Sequence, residues 1–232
     1  MTPKFNGFPR ECLAFYRDLA KNNSKRWFEQ HRSEFEEYVL APAREFVLAM
    51  GEALSRRSPG IHADPRTDKS IFRIYRDVRF SRDKRPFKTN LAIWFWEGRG
   101  PRMECSGYYF HLEPKTLMLG AGIYMFPKHM IREYRDSVVH RTYGPGLDKA
   151  VKTVLKKGPY GLGGAFFKKV PRGYPADYAN AGYLLYNGLW AGIEMPVPKE
   201  IFSPDLVSFC CKHYSNMAPL HEWLLNLTGR IS

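Results

Sequence analysis

The chain has 232 residues and carries 36 Lys and Arg against 23 Asp and Glu, a net charge of +13. That balance favours polyanionic partners over cationic ones and says nothing of fold. The length allows one sizeable core, no apolar run is long enough to cross a bilayer, and the first residues lack the hydrophobic stretch of a signal peptide, so a cytoplasmic location without membrane attachment is expected.

Residues 9–21 predict a helix, with Leu13, Tyr16, Leu19 and Ala20 on one face. Asn22-Asn23 breaks it, and Asn23 or Ser24 suits the cap of a second helix reaching about Leu40, with Trp27, Phe28, His31, Phe35 and Tyr38 along its apolar stripe. His31 on that stripe reads as a core histidine with a satisfied ring nitrogen rather than a ligand. Pro42 suits the first turn of a third helix, lined inward by Phe46, Val47, Met50 and Leu54 and ended by Ser58-Pro59-Gly60. Phe72 and Ile74 alternate with Arg73 and Tyr75 as a half-buried strand does, and Leu91 to Trp96 predicts another strand.

Gly107 to Leu112 and Leu117 to Tyr124 read as a hairpin closed around Pro114-Lys115. That register faces Phe110 to Leu119 and Leu112 to Leu117 on the core side, and Tyr109 to Gly120 on the other. Residues 128–141 and 147–155 predict helices, and Gly158 to Gly164 a glycine-rich turn or mobile loop without the ending of a P-loop. Lys168, Lys169 and Arg172 form a second basic group. Leu184 to Ile193 predicts a strand, Ser203-Pro204 opens a helix with Leu206, Phe209, Cys210 and His213 on one face, and Leu220 to Leu227 forms a terminal docking segment. The order of elements is α+β: a central antiparallel sheet flanked by an N-terminal helical group and C-terminal helices. A single domain over residues 1–232 is expected, with a helical part at about 9–58, a sheet part at about 70–126 and a helical and loop part at about 127–232. Cys12, Cys105, Cys210 and Cys211 show no C-x-x-C pair and no zinc-like spacing, so free thiols, no metal and no cofactor are expected.

The stretch from Ile71 to Asn90 holds Arg73, Arg76, Arg79, Arg82 and Arg85 with Lys84 and Lys88, opposed only by Asp77 and Asp83. No regular element puts arginines three apart on one surface, because a helix fans them and a strand alternates them. A strand leading into a loop gathers Arg73, Arg76, Arg79, Lys84 and Lys88 around an anion, with Asp77 and Asp83 orienting them. The competing reading makes the two aspartates hubs of an ion-pair network that pins the loop.

The run Arg-Ile-Tyr-Arg-Asp-Val-Arg-Phe-Ser-Arg-Asp-Lys-Arg-Pro-Phe-Lys-Thr resembles the signature of the family catalogued as domain of unknown function 2461. Further matching pieces are Gly7-Phe8-Pro9, Asn22-Asn23, Trp27-Phe28, His31-Arg32, Gly107-Tyr108-Tyr109, Gly120-Ala121-Gly122, Lys168-Lys169-Val170-Pro171 and Gly173-Tyr174. Tyr178 stands where the family is expected to carry a histidine. The resemblance spans nearly the whole chain and implies no established activity.

Two functions of different class follow from the residues. One is a site for a phosphorylated or otherwise anionic small molecule, with His111 as the nearby acid or base. The other is a nucleic-acid-binding module, in which Phe72, Tyr75, Phe80 and Phe87 interleave the cations. A scaffold without a small ligand is the third reading. No paired carboxylates, nucleophile elbow or metal signature names a reaction.

Overall fold

The computed structural model describes residues 4–229. Six strands lie in one antiparallel sheet in the order β1-β2-β3-β4-β6-β5, with helices before and after it, so the class is α+β. The strands are β1 (Ile61–His62), β2 (Leu91–Glu97), β3 (Ser106–Leu112), β4 (Thr116–Ile123), β5 (Gly161–Ala165) and β6 (Tyr186–Pro196). The chain divides into two compact units. The first is the chain up to Phe95 with Tyr109–Leu119 and Glu194–Lys212; the second is Trp96–Tyr108, Gly120–Ile193 and the chain from His213 on.

In the first unit, α1 (Arg10–Lys21) buries Cys12, Phe15, Tyr16 and Leu19, while Leu13 is only half-buried and Ala20 exposed. The inward face is therefore rotated from the one expected. Ser24 caps α2 (Lys25–Gln30) by accepting from the Trp27 N–H. The single helix expected to Leu40 is interrupted at His31 (φ −115°, ψ 18°), then resumes as α3 (Arg32–Phe35) and a π-turn (Glu36–Leu40). The π-turn runs directly into α4 (Ala41–Ser55), whose Phe46, Val47, Met50 and Leu54 are buried. Phe46 meets the rings of Phe8 and Phe110 at 5.6 Å and 4.8 Å, which forms the aromatic centre of this unit. The Glu113 N–H donates to the Thr116 carbonyl at 2.9 Å, closing the hairpin around Pro114-Lys115. Phe110, Leu112, Leu117 and Leu119 are fully buried, as the expected register requires.

In the second unit, α5 (Lys128–Val139) and α6 (Tyr143–Lys156) pack around Tyr134, which stacks on Phe126 at 4.3 Å and donates to the Tyr183 carbonyl at 2.8 Å. From Gly161 on, the glycine-rich run is β5 rather than a turn or mobile loop; residues 158–160 form the bend that leads into it. Its glycines are what allow that strand. A Cβ on Gly163 would lie 2.0 Å from the Trp190 ring, and one on Gly164 would lie 2.1 Å from the Gly188 carbonyl oxygen. Gly122, at φ +138°, is packed equally tightly against β6, 2.3 Å from the Leu189 carbonyl oxygen at its would-be Cβ. The space over Gly122 is thus filled by neighbouring backbone and not kept for a ligand.

The terminal segment expected at Leu220 is not separate. It belongs to α7 (Leu206–Gly229), which runs on through Pro219. Among the described residues no helix is long and apolar enough to cross a membrane.

All four cysteines are free thiols; Cys12, Cys105 and Cys210 are buried. Burial pushes the Cys12 thiol up to about 12, out of reach of neutral-pH chemistry. Titration of denatured, unreduced protein is expected to count four thiols, and any smaller number contradicts this pairing state. Gly122→Ala is expected to lower stability by roughly 2–6 kcal/mol, because backbone strain and overpacking add at that position. Chemical denaturation measures it, and an unchanged midpoint would show that β6 yields.

Candidate functional site

The segment around the arginines is built on a clasp. Asn23 Nδ2 donates to the Phe87 carbonyl at 3.0 Å, and Asn23 Oδ1 accepts from the Phe87 N–H at 3.0 Å. One side chain thus saturates both backbone groups of one residue. Phe87 is buried and stacks on Phe28 at 4.4 Å. Arg32 reaches Glu29 with two bonds of 3.0 Å and 2.7 Å and also bonds Tyr75; these contacts, Glu29 first, raise its pKa.

From there the backbone is paired, though not as the strand expected at residues 72–75. Phe72 N–H donates to the Ala92 carbonyl and Trp94 N–H to the Ser70 carbonyl. Arg76 N–H donates to the Pro86 carbonyl and Lys88 N–H to the Ile74 carbonyl. Between these two paired stretches the returning side carries two residues more than the outgoing side, a bulge that holds Thr89 and Asn90. The bulge breaks the ladder into isolated bridges, Ile71 to Ile93 and Tyr75 to Phe87. The buried side chains are accordingly Ile71 and Ile74, three apart, while Phe72 is half-buried.

Residues 77–85 form the loop. Its arginines follow a local rule that their three-residue spacing conceals. In Asp77-Val78-Arg79 the carboxylate accepts the Arg79 N–H at 3.2 Å and the guanidinium at 3.0 Å and 2.8 Å. Asp83-Lys84-Arg85 repeats this, with 3.0 Å to the Arg85 N–H and 2.7 Å from Nη2 to Oδ2. Asp64-Pro65-Arg66 is a third copy. Each aspartate closes a ring with the arginine two residues on, so the guanidinium direction is set by the chain itself. Asp83 also accepts from Arg76 Nη1 at 2.6 Å, and Arg76, a quarter exposed, donates to the Arg85 carbonyl at 3.2 Å.

The side-chain and backbone donors of Arg79 hold the Asp77 carboxyl down at about 2. The corresponding donors of Arg85, with Arg76, hold Asp83 lower still. Lys84 Nζ donates to the Val78 carbonyl at 3.0 Å, and Lys88 Nζ to the Arg73 carbonyl at 2.9 Å. Arg73 and Arg82 are exposed, and no carboxylate lies in ion-pair reach of either among the described residues. Arg73 acts on Asp77 through space.

Of the interleaved aromatics, Phe87 is core, while Tyr75 is exposed and Phe80 is 95% exposed, with the Arg79 guanidinium 5.8 Å from its ring centre. His111, on β3, lies beside the bulge. Its Nδ1 accepts from the Tyr109 hydroxyl at 2.9 Å with Asn90 Nδ2 at 3.4 Å, and its Nε2 faces Glu113 at 3.2 Å. Lys88 Nζ lies 5.6 Å from the Phe72 ring centre, and that ring meets Tyr109 edge-on at 6.4 Å.

Asn23, Arg32, Asn90, Tyr109 and Glu113 did not emerge as site residues from the sequence. The D-x-R spacing was the legible signal for the rings; nothing local announced the clasp, which spans 64 residues. His31 donates from Nδ1 to the Trp27 carbonyl at 2.8 Å and stacks on Trp27 at 4.0 Å. It lines a cleft of about 320 Å³ with Glu11, Asp18, Glu34, Phe15 and Tyr38, whose walls have the wrong charge for an anion. Lys168, Lys169 and Arg172 are exposed in the second unit, and Tyr178 is half-buried there. Among the described residues no three His, Cys, Asp or Glu side chains are grouped to hold a metal ion.

A carboxylate with a depressed folded value adds stability above its unfolded value of 3.8 and loses it as pH falls through the folded value. The Asp77 ring is therefore expected to stay closed at pH 4 and to open only as the pH falls through about 2. A carboxyl NMR titration reads this directly; a midpoint for Asp77 near the ordinary 3.8 would show the ring to be open in solution.

No curated protein matches the chain. A family model described as conserved hypothetical protein (DUF2461) matches residues 11–223, which covers the clasp, the arginine loop and His111, and the chain belongs to that family.

Proposed function

We propose that the 70–90 segment binds a phosphate-bearing anion. The observation that carries this is charge left unmatched on an ordered loop. Seven Lys and Arg face two Asp between Ile71 and Asn90, a balance of 7 − 2 = +5. Both aspartates are already committed to Arg79, Arg85 and Arg76, while Lys84 bonds a neutral carbonyl and no carboxylate lies in ion-pair reach of Arg73 or Arg82 among the described residues. Exposed ion pairs contribute little stability, so a purely structural network gains little from so many cations. Arginines whose directions are fixed in advance lose less freedom when an anion arrives. In this reading Arg73, Arg79, Lys84 and Lys88 contact the anion, Arg82 adds to the field, Asp77 and Asp83 orient, and Arg76 braces the loop from within.

A second reading, binding of single-stranded nucleic acid by the same loop, is favoured by Phe80. A phenylalanine almost wholly in water between Arg79 and Arg82 suits a platform on which a base stacks while the cations take the phosphates.

Calorimetric titration at low salt with inorganic pyrophosphate and with a short oligothymidylate tests both. Arg73→Ala and Arg79→Ala are each expected to weaken binding by about 1.5–3 kcal/mol, the range for a hydrogen bond to a charged group, with little change in melting temperature. Phe80→Ala is expected to cost the oligonucleotide about 1–3 kcal/mol and leave pyrophosphate unaffected. If neither probe binds, the network reading of the loop stands instead.

A further inference from the structure

Among the described residues, Ser106, Tyr160 and Tyr109 each have a hydroxyl hydrogen-bonded to an imidazole. Ser106 Oγ lies 2.9 Å from His221 Nδ1, whose Nε2 lies 2.9 Å from Glu97, but Ser106 and His221 are 0% and 1% exposed and sealed from any substrate. Tyr160 meets His213 Nδ1 at 2.9 Å and is likewise buried. The third pair, Tyr109 with His111, reaches the surface: both residues are half-buried and Glu113 is exposed.

The hydrogen bonds around His111 settle its proton. Nε2 faces a carboxylate, which accepts only, so Nε2 carries the hydrogen. Nδ1 faces the Asn90 amide nitrogen, which only donates, and the Tyr109 hydroxyl, which can donate, so the neutral imidazole carries its lone pair at Nδ1. The phenol therefore points its proton at a base whose far side is held by Glu113. This is the order nucleophile, base, orienting carboxylate that activates a hydroxyl. The relay lies against the basic segment through the Phe72–Tyr109 ring contact and through Asn90 in the bulge.

We infer that Tyr109 is the nucleophile of a catalytic site that acts on a phosphate ester held by the arginine loop, with His111 as its base and Glu113 as the residue that positions His111. The inference rests on the anion-binding reading above for its substrate class. In the step, Tyr109 Oη forms a bond to phosphorus, the bond from phosphorus to the ester oxygen breaks, and the leaving group departs with that electron pair. The phenolic proton passes to His111 Nδ1, and Glu113 stabilises the imidazolium. Asn90 and Lys88 lie beside the relay and the loop respectively.

The test uses the full chain and 4-(fluorosulfonyl)benzoate, an anionic electrophile. Tyr109 Oη would bond to sulfur, fluoride would leave, and the proton would go to His111. Mass spectrometry is expected to find Tyr109 modified about 100-fold faster than the exposed Tyr124, with the rate already high near neutral pH. His111→Gln is expected to move the rate rise toward about pH 10, where an unassisted phenol ionises. Glu113→Gln, an exposed change that leaves the fold intact, is expected to do so in part. Tyr109 labelled no faster than Tyr124, or a pH profile that neither variant moves, would overturn the relay. Labelling that depends on His111 but is not slowed by pyrophosphate would uphold the relay and overturn its phosphate ester substrate. If pyrophosphate also fails to bind in the calorimeter, the anion-binding reading falls separately.

Discussion

The first unit depends on one carboxamide. Asn23 offers the N–H and C=O of Phe87 the same pair of bonds that a neighbouring strand would offer, at 3.0 Å each. Phe87 lies at the point where the arginine segment returns toward the sheet, and without a partner its peptide groups would be buried unsatisfied. With them satisfied, the Phe87 ring seats on Phe28, and the Tyr75–Phe87 bridge fixes where the loop leaves and re-enters. Everything between Arg76 and Pro86 hangs from that frame. A hydrophobic contact alone is non-directional and would let the segment slide; the two hydrogen bonds are what set its register.

The loop itself is organised at a shorter range. An aspartate that takes the backbone N–H and the guanidinium of the residue two places on makes a ring needing no other part of the fold. Such rings form at Asp64, Asp77 and Asp83. Their aspartates are exposed or half-buried, so their effect on global stability is small. Their effect on side-chain freedom is not: an arginine so held has lost most of its rotamers before any ligand arrives. Asp83, which also takes Arg76, joins the local ring to the frame.

The hydroxyl–imidazole pairs illustrate how burial decides what the same chemistry does. Ser106, His221 and Glu97 form a hydrogen-bonded chain in which every polar group is matched inside the second unit, next to the Tyr108 ring at 4.6 Å from His221. Such a chain rigidifies a core. Tyr109 and His111 share one face of β3 and Glu113 follows just past its end, each two residues from the next, so the strand's period of two lines them up.

The sequence by itself determined whatever depends on neighbours along the chain. Periodicity located α4, α5, β2 and the hairpin, and Pro114-Lys115 marked the turn that the Glu113 N–H closes onto the Thr116 carbonyl. The cap at Ser24 and the free cysteines were legible for the same local reason. Tertiary structure decided the rest. The arginine segment alternates like a strand in sequence, but the bulge at Thr89-Asn90 on the opposite side shifts the pairing, and the buried positions become Ile71 and Ile74. The glycine-rich run looks like a turn until Trp190 and Gly188 approach it closely enough that only glycine fits, which makes it β5. Asn23 reads as a helix breaker in sequence, and its role as the clasp exists only once Phe87, 64 residues on, is brought within 3.0 Å. A hydrogen bond between distant residues leaves no periodic trace, so only the folded chain decides it.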